Sequence, residues 1–301
     1  MEKFGRLLTA MVTPFDAEGK VDYQQAKNLA RALLDAGSDG LVVCGTTGES
    51  PTLTFEEKLR LLAEVKSAVA NRGTIVAGTG NYNTKESQEL TKEAEKIGVD
   101  ACLLVVPYYN RPPQQGLIEH FSAIAKATTL PCILYNVPSR TVANLAADTV
   151  IKLSKIDNII GVKEASGNFR QIAEIIQGTK DEFLVYSGND SDTLLLLALG
   201  GYGVVSVASH LVGLQIKDMM DKFVEGKTRE AASIHRHLLP LIDSLFIVAN
   251  PIPLKFALNC LGFAVGKPRL PLVEPDEKSA ETIRARLKDY KIDLAIVPKA
   301  A

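Results

Sequence analysis

Short apolar runs alternate with longer amphipathic segments along this chain, and the alternation repeats eight times. The runs occupy residues 7–12, 40–43, 74–77, 101–106, 131–135, 159–162, 183–186 and 203–207. Several are apolar throughout, such as CLLVV at 102–106 and CILY at 132–135. An uninterrupted apolar run suits a parallel strand covered on both faces better than a strand with one wet side. Between the runs, residues 22–36, 54–70, 84–97 and 114–127 carry helical periodicity. Thr54-Phe55-Glu56-Glu57 and Asn83-Thr84-Lys85-Glu86 read as helix starts. Ala36-Gly37 and Ile97-Gly98 read as helix ends that lead into the next strand. Eight such units predict an α/β fold, a (β/α)8 TIM barrel over residues 1–225. A doubly wound sheet is the alternative, although it rarely needs eight evenly spaced units. Residues 228–248, 253–261 and 276–289 are helical in pattern, broken by Asn250-Pro251, Pro268 and Pro271-Leu272, with no strand between them. They predict a C-terminal helical extension, 226–301, packed on the barrel.

Composition narrows the classes. A hydrophobic content of 46% and a net charge of −1 describe a soluble chain with a sizeable core. Near-neutral charge gives no electrostatic case for nucleic acid or an anionic membrane surface. No apolar run approaches the roughly 18 residues of a membrane span. Met1-Glu2-Lys3-Phe4-Gly5 lacks the charged-then-apolar pattern of a signal peptide. Cys44, Cys102, Cys132 and Cys260 are far apart and form no CxxC pair, which is how reduced core cysteines behave. The expected compartment is the cytoplasm. His235 and His237 are two apart on a helical pattern, and His120 and His210 have no partner at ligand spacing, so no metal site is expected. Gly78-Thr79-Gly80 lacks the third glycine of a dinucleotide fingerprint.

In such a barrel chemistry collects at the carboxyl ends of the strands. There the sequence places Gly45-Thr46-Thr47-Gly48-Glu49, Tyr108-Tyr109-Asn110-Arg111, Tyr135-Asn136-Val137-Pro138-Ser139-Arg140, Lys163-Glu164 and Ser187-Gly188-Asn189-Asp190. Lys163 ends the apolar run Ile159-Ile160-Gly161-Val162. Burial disfavours a charged amine, and a neutral lysine is a nucleophile for carbonyls. The bland alternative is a strand-end lysine capped by its neighbour Glu164, and the stretch alone does not separate the two. Tyr135, on the neighbouring strand, is a phenol placed to move protons for an imine. The glycines around Thr46 and Thr47 let backbone N–H groups approach an anion such as a carboxylate, though no Gly-Lys-Ser/Thr follows as in a phosphate loop. Taken singly, these are an ordinary turn, a strand aromatic and, for Arg140, a solvated charge; together they point at one mouth. Lys255, flanked by apolar residues on a helical pattern, reads as packing.

GTTGES (45–50), PYYNRP (107–112), YNVPSRT (135–141), GVKEASG (161–167) and YSGND (186–190) together resemble the dihydrodipicolinate synthase family of pyruvate-dependent class I aldolases. The resemblance covers essentially the whole chain. It implies that Lys163 forms a Schiff base with pyruvate, whose enamine adds to L-aspartate 4-semialdehyde to give 4-hydroxy-tetrahydrodipicolinate. It implies no metal or organic cofactor. Tyr135, Thr46 or Thr47, and Tyr109 match the family's proton relay, the last supplied by an adjacent subunit. Thr47, Gly188 and Val205 match positions lining the pyruvate site, and Arg140 the residue that holds the second substrate's carboxylate. The family is usually a homotetramer, a dimer of tight dimers. Some members are inhibited by lysine in an interface cleft. There Ser50, Glu86 and Tyr108 are kept, whereas Phe55, Lys58 and Tyr82 depart, which implies weak or absent lysine feedback. A keto-sugar-acid aldolase or N-acetylneuraminate lyase using the same lysine, and a barrel that only binds pyruvate-like ligands, are the competing readings.

Overall fold

Eight parallel strands close into a barrel in chain order, β8 pairing back onto β1. They are β1 (Leu7–Ala10), β2 (Gly40–Val43), β3 (Thr74–Gly78), β4 (Ala101–Val105), β5 (Cys132–Asn136), β6 (Ile159–Glu164), β7 (Leu184–Ser187) and β8 (Gly203–Ser206). The structure, a computed structural model, describes residues 4–295. The first three residues and the last six of the expected extension lie outside it. The helices are α1 (Tyr23–Asp35), α2 (Phe55–Val69), α3 (Thr84–Ile97), α4 (Gln114–Ala125), α5 (Pro138–Thr141), α6 (Ala147–Leu153), α7 (Phe169–Gly178), α8 (Thr193–Ala198), α9 (Ser209–Val224), α10 (Thr228–Ser244), α11 (Ile252–Cys260) and α12 (Glu277–Leu287).

The local signals act as expected. Thr54 and Glu57 cap α2 reciprocally, each side chain bonding the other's backbone N–H. Asn83 accepts from the backbone of Lys85 and Glu86 at the start of α3. Gly98 ends that helix at φ +84°, a left-handed cap that a β-carbon would strain.

Strand periodicity splits the apolar side chains into two layers. Leu8, Val42, Val76, Leu103, Ile133 and Val205 fill the barrel interior. The opposite faces, such as Leu7, Leu41, Val43 and Ile75, pack outward against helices. That outer layer continues into the extension: Leu238, Leu241, Leu254, Leu258 and Ile283 belong to the same apolar cluster as the strand residues. On the far side, Cys102, Leu104, Cys132, Leu134 and Val162 pack with Leu117, Phe121 and Ile172. Three cysteines are therefore buried, while Cys260 is exposed at the end of α11.

Most boundaries shift by a residue or two from the sequence pattern, and three of the shifts matter most to the site. β1 stops at Ala10 because the Val12 N–H turns from the sheet to the ring of His210, 3.2 Å from Nε2. β6 runs two residues beyond its apolar run, so Lys163 and Glu164 are strand residues. α10 ends at Ser244 rather than 248, and turns and bends carry the chain to Asn250. Asn250 precedes proline, which disfavours helical backbone there.

His210 ties the loop after β1 to the loop after β8. Its Nδ1 lies 2.9 Å from the Val207 carbonyl, so Nδ1 carries the proton and Nε2 accepts from Val12. Burial holds its pKa down to about 4, and burial does the same to His120. A folded-state pKa below the unfolded value means the unfolded chain takes up protons first as pH falls. Stability should therefore be intact above roughly pH 6.5 and decline towards about 4, by up to about 3 kcal/mol for each histidine. Urea unfolding across that window should show the loss, and His210→Gln, which does not titrate, should flatten part of it. An unchanged acid limb in that variant would contradict the assignment.

Candidate active site

Residues in register on neighbouring parallel strands face the same side of the sheet. Tyr135 of β5 pairs with Lys163 of β6, which pairs with Tyr186 of β7. Tyr135 and Tyr186 belong to the interior cluster, so Lys163 also points inward, near the carboxyl end of its strand. Its side chain is buried, and Nζ stands 4.2 Å from the centroid of the Tyr135 ring. Among the described residues it forms no ion pair or hydrogen bond.

Glu164 does not cap it. Strand alternation sends that carboxylate to the other face, where it accepts from Asn136 Nδ2 (3.1 Å to each oxygen), the Ser166 backbone (2.8 Å) and Gln171 Nε2 (3.2 Å). Burial raises its pKa against the pull of these bonds. The carboxylate within electrostatic range of Lys163 is Asp190 instead. It is buried and accepts from the Ser206 hydroxyl and from the backbone of Val207 (2.9 Å) and Ala208 (3.2 Å). Burial raises its pKa, while those bonds and the Lys163 charge oppose the rise. Sequence reasoning stopped at the YSGND motif without singling Asp190 out. Its partners lie 16 to 18 residues downstream, so no local pattern marks it.

Gly188 sits against the lysine. A β-carbon there would lie 2.6 Å from Ala165 Cβ, 3.1 Å from Lys163 Cε and 3.2 Å from the Glu164 carbonyl oxygen. Val205 is buried in the interior layer.

A cavity of about 480 Å³ opens at this end of the barrel. Gly45, Thr46, Tyr135, Val137, Arg140 and Thr141 line it, together with Ser50, Lys58, Tyr82, Glu86 and Tyr108. Thr47, Lys163, Gly188 and Val205 are not among its lining residues; Tyr135 joins Lys163 to it. Arg140, on α5, is exposed and donates from Nη2 to the Asn250 carbonyl at 3.2 Å. Tyr109 is 94% exposed at φ +67°, so this chain does not bring its own Tyr109 to the site. A second cavity, about 530 Å³, lies at the opposite end of the barrel. Its lysines Lys66 and Lys217 are paired with Asp100 (2.8 Å) and Asp39 (2.6 Å), and none of the expected site residues reaches it.

The Thr46–Thr47 loop is held unusually firmly. Cys44 and Glu49, at its two ends, have φ of +59° and +55°, which non-glycine residues adopt only when their surroundings compel it. The compulsion at Glu49 comes from Lys255, which corrects its reading as a packing residue. The two side chains are wholly buried, 2.8 Å apart. Lys255 Nζ also donates to the Lys267 carbonyl (3.2 Å) and lies 4.0 Å from the Phe15 ring centroid. The second Glu49 oxygen accepts from the Arg269 backbone at 2.8 Å. A lysine among apolar residues gives no sequence sign of its partner 206 positions away.

The closed parallel barrel thus sets a buried lysine without a carboxylate in contact on strand six beside a phenol on strand five. The chain belongs to the Dihydrodipicolinate synthetase family, which it matches over residues 3–290. It is 64% identical over 296 residues to 4-hydroxy-tetrahydrodipicolinate synthase of Dehalococcoides mccartyi (strain CBDB1), covering 98% of this chain and 100% of that one. Among solved structures, a dihydrodipicolinate synthase from Cyanidioschyzon merolae with lysine bound is 49% identical, with a TM-score of 0.94 and coverage of 95% and 98%. A chloride-inhibited dihydrodipicolinate synthase from Acinetobacter baumannii, complexed with pyruvate, is 37% identical, with a TM-score of 0.92 over 95% and 98% of the chains.

The Gly188 contacts give a direct check on the lysine's placement. Gly188→Ala should push the Lys163 side chain aside and slow pyruvate capture, read as borohydride-trapped mass, by at least roughly tenfold, in keeping with the cost of overpacking. Capture at the wild-type rate would show that the lysine tolerates displacement.

Proposed function

We infer that this chain condenses pyruvate with L-aspartate 4-semialdehyde to 4-hydroxy-tetrahydrodipicolinate, the first committed step towards diaminopimelate and lysine. The observation that carries the reading is Lys163: buried, without a carboxylate partner, and stacked on Tyr135 in a chain of this family. The amine attacks the pyruvate ketone, water leaves, and the protonated imine takes up the electron pair as a methyl proton passes to the proton relay, giving an enamine. Tyr135, with Thr46 or Thr47 and Tyr109, carries protons between these steps. Thr47 and its neighbouring amides bind the pyruvate carboxylate, with Gly188 and Val205 shaping the space. Arg140 binds the carboxylate of the aldehyde substrate, whose carbonyl the enamine attacks. The residues supply both nucleophile and proton carriers, so the proposed steps call for no cofactor.

The exposed Tyr109 supports assembly, since its relay role requires a second copy to bring it to a site. The reading is a homotetramer built as a dimer of dimers, acting in the cytoplasm. Among the described residues no helix is long and apolar enough to cross a membrane.

Lys58 shares the cavity with Glu86, Ser50, Tyr82 and Tyr108. Its ammonium would repel the amino groups of a lysine effector, and Phe55 offers no hydrogen bond. Desolvation lowers the Lys58 pKa, and the Glu86 carboxylate opposes that fall only in part. Feedback by lysine is therefore expected to be weak or absent. A half-inhibiting concentration below a millimolar would overturn this.

The function itself is tested by turnover of pyruvate with L-aspartate 4-semialdehyde, followed as NADPH loss through a coupled reductase. Brisk turnover is expected, with Lys163→Ala reducing it by at least roughly a thousandfold and abolishing borohydride trapping of pyruvate. Near-normal turnover in that variant would sink the mechanism.

A further inference from the structure

Two rungs join the substrate loop to the C-terminal extension. Asn250 Nδ2 donates to Thr47 Oγ1 at 2.9 Å, and Lys255 meets Glu49 at 2.8 Å. The partners are two residues apart on the loop and five apart on the extension, so the rungs fix the two segments against each other. Asn250 and Thr47 are both buried, and so are Glu49 and Lys255. Separating a buried ion pair leaves uncompensated charge, which makes the second rung a stiff anchor for the first.

A threonine hydroxyl has one proton and two lone pairs. With Asn250 donating to one lone pair, the Thr47 proton points elsewhere, and the hydroxyl makes no second hydrogen bond among the described residues. A hydroxyl constrained in this way presents its proton to an incoming anion without first breaking an internal bond. We propose that Asn250 is a positioning residue for the keto acid: it orients the Thr47 hydroxyl as a donor to the substrate carboxylate, and the Glu49–Lys255 pair sets its reach. The inference rests on the reading of Thr47 as a ligand of that carboxylate. Asn250 touches Arg140 as well, but through its backbone carbonyl, a contact that substitution of the side chain leaves in place.

The two kinds of contact allow a test that a merely structural role would fail. Asn250→Ala should raise the KM for pyruvate roughly tenfold, the cost of one oriented hydrogen bond to a charged group, with the KM for L-aspartate 4-semialdehyde little changed. Thr47→Val should raise the pyruvate KM similarly. Because Asn250 acts through Thr47, the double variant should be no worse than either single one. KM does not depend on the fraction of protein folded. Should Asn250→Ala fail to fold, Asn250→Ser, too short to reach Thr47, takes its place in the same cycle. Additive effects, equal increases in both KM values, or a normal pyruvate KM in the Asn250 variant beside a raised one in Thr47→Val would each overturn the proposal and leave the Thr47 reading standing. A normal pyruvate KM in Thr47→Val would remove the Thr47 reading and this proposal with it.

Discussion

A shift of β6 by one residue would turn Lys163 out of the barrel and bring Glu164 in. Everything at the site depends on that register. It is held on one side by Ile133, Leu134 and Tyr135 opposite Gly161, Val162 and Lys163, and on the other by Leu184, Val185 and Tyr186. A slip is penalised at the polar end of β6, because it would bring the Glu164 carboxylate into the barrel and break its bonds to Asn136 and Gln171. The Lys163 amine therefore takes its placement from the pairing of the strands on either side.

Electrostatics follows from the same geometry. Glu164, the next residue in sequence, is turned to Asn136, Ser166 and Gln171, and Asp190 is bound by Ser206, Val207 and Ala208. Each acid is satisfied by groups other than the lysine. The amine keeps an aromatic face as its neighbour, an arrangement that leaves its lone pair, once free, with no competing acid in contact. Asp190 still acts at a distance on the charge of this region, so the site holds a fixed acid without forming an ion pair with it.

The sequence was most legible where physics is local. Uninterrupted runs such as CLLVV and caps such as Thr54–Glu57 depend on residues within a turn of one another, and these led directly to the barrel. Lys163 and Tyr135 could be placed together because parallel order makes consecutive strands neighbours. Asp190, Asn250, Glu49 and Lys255 were opaque for the opposite reason. Their partners lie on segments up to 220 residues away, and each in isolation resembles a common loop or helix residue. The end of α10 was misplaced because apolar residues continue past Ser244, while the chain there bends to deliver Asn250.

The long span between Glu49 and Lys255 also orders events during synthesis. At about 5–20 residues per second, roughly 10–40 s separate the appearance of the acid from that of its amine. During that interval the first strands and helices can assemble, but the Glu49 carboxylate has no cation to accompany it into an apolar setting. The loop bearing Thr46 and Thr47 can settle only when α11 arrives. A nascent or truncated chain lacking that helix would thus carry Lys163 beside an unfinished loop, and the site would be completed only with α11.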